Sequence, residues 1–267
     1  MVYYTLSMSL INALIQGIVE GITEFIPVSS TAHLIITSKF LHIPQTDFQK
    51  FFEVFIQSGA ILAVVFLYFG YVLKHRKVQL NVILSFLPTA VVGYFLFSII
   101  KNVFFESTGL IIAALIIVGL VFIVLEYLVK SKRLSLNKTL ANINWQHAVL
   151  IGLAQSLAVV PGVSRAGIVI VAMMLLGYKR EDSAIYSFLL AVPTILAASA
   201  LDLFKMRGQL AGFGQMQLYV VIGFVVSFIT AYFSVKWLID YLKKNSLTSF
   251  GLYRIVLAII VMLLLGS

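Results

Sequence analysis

The sequence predicts an all-α polytopic membrane fold, and three observations predict it. Hydrophobic residues make up 61% of the 267 positions and charged residues only 11%, which is no composition for a soluble globular domain. Six apolar stretches are long enough, or nearly so, to cross a hydrocarbon core; a core ~30 Å thick takes ~20 helical residues. Two further apolar stretches are interrupted by proline and serine at matching places.

Each element follows from the chain in order. Residues 8–36 are broken by Pro27 and then by Ser29 and Ser30. Backbone groups freed at membrane depth are tolerated only against protein or a wet cavity. The stretch is therefore read as a re-entrant helix pair that returns to the face it entered from, a kinked spanning helix being the alternative. Spans are expected at 52–72, 81–100 and 108–129. Residues 148–177, broken by Pro161, Gly162 and Ser164, repeat the interrupted pattern and receive the same reading. Spans at 183–201, 218–239 and a short one at 250–266 complete the chain. The expectation is six transmembrane helices plus two re-entrant helix pairs, in a single membrane domain over 1–267.

Internal similarity supports two halves, about 8–129 and about 146–266. Gly17-Ile-Val-Glu20-Gly21 resembles Gly152-Leu-Ala-Gln155-Ser156, and Pro27-Val-Ser-Ser30 resembles Pro161-Gly-Val-Ser164, which sets Ser30 opposite Ser164. Ser85-Phe-Leu-Pro88-Thr89 is echoed more loosely by Ser187-Phe-Leu-Leu-Ala-Val-Pro193-Thr194. Three spans between the broken stretches would invert the second half, giving inverted-topology repeats that meet at the midplane.

Charge gives the orientation. With the hairpins re-entrant, one face receives Lys74, Arg76, Lys77, Lys130, Lys132, Arg133, Lys138, Lys179, Arg180, Lys236, Lys243 and Lys244. The other receives only Lys39, Lys50, Lys101, Lys205 and Arg207. Twelve against five predicts that the first face is cytoplasmic and that both termini lie outside. The formal charge of +9 is spread over short connections, so it suits anionic membrane lipids and no nucleic-acid partner is expected. The chain has no cysteine, which excludes disulfides, zinc–thiolate sites and iron–sulfur clusters. Phe104, Phe105, Trp145, Trp237 and Tyr241 sit near span ends, as interfacial anchors do.

The chemistry should lie where ionisable groups enter this apolar chain. Glu20 and Glu24 are four apart and share one helical face. Two carboxylates that close resist joint ionisation, so they call for a divalent cation, an arginine or a shared proton. Ser29, Ser30 or Thr31 can cap the helix after Pro27, whose free N–H groups would receive phosphate oxygens. His33 follows within a turn and can serve as nucleophile or proton carrier. Arg165, after Gly162 and Ser164, offers a bidentate match to phosphate or carboxylate and could answer Glu20 or Glu24. No nucleotide-binding loop, His-Glu-x-x-His or Gly-x-Ser-x-Gly elbow occurs, so the simplest enzyme reading is anionic chemistry without ATP.

These residues bring the chain close to a known pattern. It resembles the bacterial undecaprenyl-diphosphate phosphatases, or bacitracin-resistance proteins, over Gln16-Gly-Ile-Val-Glu20-Gly-Ile-Thr-Glu24-Phe-Ile-Pro-Val-Ser-Ser-Thr-Ala-His33-Leu34, over Phe52-Glu53-Val-Phe-Ile-Gln57-Ser-Gly-Ala-Ile-Leu-Ala63, and over Pro161-Gly-Val-Ser164-Arg165-Ala-Gly167. The resemblance covers essentially the whole chain. It implies a homodimer in the bacterial inner or plasma membrane that hydrolyses undecaprenyl diphosphate to undecaprenyl phosphate and inorganic phosphate, recycling a lipid carrier for the cell wall. The acidic motif falls on Glu20 and Glu24, the serine and histidine elements on Ser29, Ser30 and His33, and the second motif on Ser164 and Arg165. Where the family usually has a serine and a threonine, this chain has Ala166 and Val169.

On this reading Glu20 and Glu24 hold Mg²⁺ or Ca²⁺. Arg165, Ser164, Gly162, Ser29 and Thr31 hold the isoprenyl diphosphate. The attacking group is Ser30 with His33 as base, His33 itself, or a metal-bound water. Ser30 is favoured by its place opposite Ser164 and at a helix start. Two other classes compete: a lipid or anion transporter or flippase, for which inverted halves are a common architecture, and a noncatalytic binder of lipid diphosphate.

Overall fold

The structure is a computed structural model and describes residues 8–99, 107–207 and 216–265. Lys101, Phe104 and Phe105 lie outside the described residues. Those described form ten α-helices and no strand. They are α1 (Leu10–Thr23), α2 (Ser30–Phe40), α3 (Asp47–Lys74), α4 (Arg76–Ile99), α5 (Thr108–Lys130), α6 (Trp145–Ser156), α7 (Arg165–Leu175), α8 (Arg180–Met206), α9 (Met216–Lys244) and α10 (Thr248–Leu265). Five of these, α3, α4, α5, α8 and α9, are long and apolar enough to cross a membrane. The sixth expected span, α10, is apolar but has 18 residues.

Both interrupted stretches break where the prolines stand. Pro27 separates α1 from α2, and Pro161 separates α6 from α7. In each case the following helix starts on a serine in the left-handed region: Ser29 at φ 75° and Ser164 at φ 72°. Their hydroxyls accept from the backbone N–H of Ala32 and Gly167, three residues on. Such a conformation is uncommon for a residue with a Cβ, and the side-chain cap offsets its cost. The register differs by one from the sequence comparison: cap geometry sets Ser29, not Ser30, opposite Ser164, and so sets Ser30 opposite Arg165. The extra residue is Gly162, at φ +94°, a conformation that favours glycine.

Each short first helix packs on the far half of the chain. α1 lies along α9, and α6 along α4. α3 packs on α9 and α8, α4 on α8, and α5 on α10. The α1–α9 contact depends on glycine: a Cβ at Gly21 would come within 1.9 Å of Thr230 Oγ1 and 2.5 Å of the Ser227 carbonyl oxygen. Small residues bring membrane helices to such close approach because van der Waals packing must replace the hydrophobic drive. Outward positions such as Phe66, Phe69, Leu73, Ile117 and Val124 are exposed and apolar, as lipid-facing residues are.

One end of the bundle gathers the basic connections. Lys77 Nζ donates to Ala141 O at 3.0 Å, and Asp182 Oδ1 accepts from Leu140 N–H at 3.1 Å. Glu126 pairs with Arg180 and also accepts from Leu247 N–H at 2.9 Å. This ties the chain around Lys74–Lys77, Lys130–Lys138, Lys179–Arg180 and Lys243–Lys244 together at one end.

Candidate active site

The two breaks meet at one point. Ser30, the first residue of α2, donates from Oγ to Glu24 Oε2 at 2.6 Å. Arg165, the first residue of α7, donates from Nη2 to Glu24 Oε1 at 2.9 Å and from Nη1 to Ser187 O at 2.8 Å. A single carboxylate from the end of the first hairpin's leading helix thus receives a hydroxyl from its own half and a guanidinium from the other. Of the two acids the sequence offered to Arg165, the structure pairs it with Glu24.

Around this point opens a cavity of about 570 Å³. Glu24, Ser29, Ser30, Thr31, Gly162, Ser164 and Arg165 all line it. Its further wall is apolar and includes Phe86, Ala90, Gly93, Tyr94 and Leu201, with Lys50 and Asp202 at the end away from the basic face. An ionised centre joined to an apolar groove suits a ligand with a charged head and a hydrocarbon tail.

Two expected residues do not line the cavity. Glu20 is wholly buried beside Glu24, and no donor reaches either of its side-chain oxygens. His33 faces away from the cavity. Its Nδ1 lies 2.8 Å from Ser29 O and its Nε2 2.6 Å from Tyr253 Oη, with the ring stacked on Tyr253. Both ring nitrogens are committed, so the group in reach of the Ser30 proton is Glu24. The family's two usual hydroxyl positions are filled by Ala166 and Val169, both buried and apolar, with Val169 packed into the main core.

The acid pair can be tested for a cation. Glu20 and Glu24 are one helical turn apart, and Glu20's orphaned oxygens need either a cation or a proton. Among the described residues no group of three or more His, Cys, Asp or Glu could hold a metal ion. Two carboxylates are what Mg²⁺ commonly takes from a protein, with water and substrate phosphate completing its shell, whereas Ca²⁺ takes more oxygen ligands. The residues fit Mg²⁺ on that basis.

The sequence reading assigned no role in the site to three features. Glu53, which lines the cavity, accepts from Gln49 at 2.7 Å and Ser38 at 3.0 Å, in a buried network that reaches Gln16. Gln155 Nε2 donates to Thr89 Oγ1 at 2.9 Å and Thr194 Oγ1 at 3.2 Å, joining the two Pro-Thr steps of α4 and α8 on one amide. Arg254 of α10 is fully buried behind both turns. It is the only charged residue between Thr248 and Leu265, a signal that was open to reading.

The chain matches known proteins along most of its length. The family model described as bacitracin resistance protein BacA matches residues 13–260. A protein of Campylobacter hominis named undecaprenyl-diphosphatase is 45% identical over 254 residues, covering 94% of this chain and 97% of the relative. Those of the same name from Aquifex aeolicus and Sulfurovum sp. are 42% identical over 256 residues and 37% over 261. The Aquifex match covers 93% of this chain and 96% of that protein, and the Sulfurovum match 97% and 100%.

Proposed function

The chain belongs to the bacitracin resistance protein BacA family, and from that premise we infer that it is an undecaprenyl-diphosphatase. It cleaves the terminal phosphate of undecaprenyl diphosphate, giving undecaprenyl phosphate and inorganic phosphate, and so recycles a lipid carrier for cell-wall synthesis. The observation that carries this reading is Glu24, held between Ser30 and Arg165 where they line an apolar groove.

Ser30 Oγ attacks the terminal phosphorus and passes its proton to Glu24, which already accepts that hydrogen bond. The P–O bond to the bridging oxygen breaks and the lipid phosphate leaves. Water then cleaves the phosphoserine, returning Ser30 and releasing phosphate. Arg165, Ser164, Gly162, Thr31 and Ser29 line the space for the phosphoryl oxygens, and the guanidinium answers charge on the transferring group. Glu20 and Glu24 would hold Mg²⁺, which supplies charge neutralisation to the diphosphate when bound. His33 keeps α2 oriented through Ser29 and Tyr253.

The same reading takes the architecture as six transmembrane helices plus two re-entrant pairs, in inverted repeats of about 8–129 and 146–266. The matched caps of Ser29 and Ser164 support it, as do the reciprocal packings of α1 on α9 and α6 on α4. The protein is a homodimer in the bacterial cell membrane, with the basic face cytoplasmic, both termini outside and the cavity open to the outer face. Single cysteines test the topology on a chain with no cysteine of its own. On intact spheroplasts an impermeant maleimide should label Arg207→Cys and spare Lys132→Cys. The reverse pattern would invert the assignment.

The activity is tested by phosphate release from farnesyl or undecaprenyl diphosphate by detergent-purified protein. Wild type should turn over, which neither a transporter nor a noncatalytic binder would do. R165K keeps the charge but loses the parallel donors, so it should stay folded and lose at least ~10-fold in kcat/KM, with R165A worse. Full activity in R165K would leave Arg165 as a structural partner of Glu24.

A further inference from the structure

Arg254 is 0% exposed, in the middle of an apolar helix. A guanidinium at such depth is costly and is usually retained for a purpose. Among the described residues no carboxylate pairs with it. Its partners are backbone carbonyls instead: Nη1 donates to Pro27 O at 3.2 Å, and Nη2 to Gly162 O, to Val163 O at 3.2 Å and to Ala114 O at 3.5 Å. The ring of Phe122 lies 5.6 Å from its Cζ.

Those carbonyls belong to the two turns that deliver the reacting groups. Pro27 stands two residues before Ser29, and Gly162 and Val163 directly precede Ser164. Each turn ends in a serine at positive φ and continues into Ser30 or Arg165. One arm of a rigid, planar fork therefore grips the first turn and the other arm grips the second. Holding these turns together fixes the distance between Ser30 and Arg165 at the backbone, beneath the side-chain bridge that both make to Glu24.

We propose that Arg254 is a positioning residue, coupling the two turns so that Ser30 and Arg165 face the same phosphoryl group. The assignment rests on the phosphatase reading above. Lysine at 254 keeps the charge but is a single point donor, and glutamine offers one amide that reaches one turn. Neither can grip both.

The test compares wild type, R254K and R254Q as purified full-length proteins on farnesyl diphosphate, with thermal unfolding and orthovanadate inhibition measured beside kcat and KM. R254K should unfold cooperatively yet lose ~10- to 100-fold in kcat, the scale set by an ångström of misplacement, with KM changed less than ~3-fold. Vanadate, which mimics the five-coordinate phosphorus, should weaken by a factor similar to that for kcat. R254Q should fall further. Wild-type kcat in folded R254K overturns the proposal. So does a lowered unfolding temperature with unchanged turnover and vanadate affinity per folded molecule, or failure of both variants to fold, each of which assigns Arg254 to stability. A wild type that releases no phosphate fails the phosphatase reading instead.

Discussion

Ser30→Ala is expected to lower kcat by ~10³-fold or more while the purified protein remains folded, because it removes the atom that attacks phosphorus. The fold should tolerate the change. Ser29, not Ser30, caps α2, and the lost contact is one hydroxyl to a carboxylate that keeps Arg165 as a partner. Losing such a bond to a charged acceptor costs ~1.5–3 kcal/mol, a loss that unfolding in detergent can measure separately. Rapid quench of wild type should also trap phosphate on Ser30, and the alanine variant should trap none. Turnover near wild type in Ser30→Ala would move the attack to water.

Glu24→Gln is expected to cost ~10²- to 10³-fold in kcat, combining the loss of the base with a misdirected clamp. The amide keeps the shape of the carboxylate. It cannot take the Ser30 proton, and it leaves Arg165 without its counter-charge 2.9 Å away. Removing one partner of a buried pair is also destabilising, so the rate must be taken per folded molecule. A variant that turns over at the wild-type rate would show that neither the charge of Glu24 nor its basicity is used.

Much of this could be read from the chain, and the limits have physical causes. Long apolar windows and prolines are local signals, so α3, α4, α5, α8 and α9 fall where the hydrophobic stretches do. The broken helices were legible for the same reason, as were Glu24 and Arg165, charges with no local excuse in lipid. The pairing of Ser30 with Ser164 was off by one. Counting from the prolines hides the extra Gly162, whose positive φ absorbs a residue without changing the cap that follows. His33 was read as facing the site because its neighbours are polar. Its ring is turned by Tyr253, 220 residues away, which no local pattern encodes. Arg254 escaped because its partners are carbonyls, and every residue has one. Glu53 gave little away, being one acid among aromatic residues, with partners on α2, on its own helix α3 and in the loop between them.

The packing of α1 against α9 bears on how the protein is made. Gly17 O meets Thr230 Oγ1 across 213 residues of sequence, so the groove that receives the first hairpin comes late in synthesis. Glu20 and Glu24 lack Arg165 until α7 is made and lack their neighbouring wall until α9 follows, and burying them bare in lipid is costly. The α1 segment therefore completes its packing only after α9 has been made. Contacts this distant in sequence make closure slow. The order of docking thus departs from the order of the chain: α1 is translated well before the α9 wall it packs against.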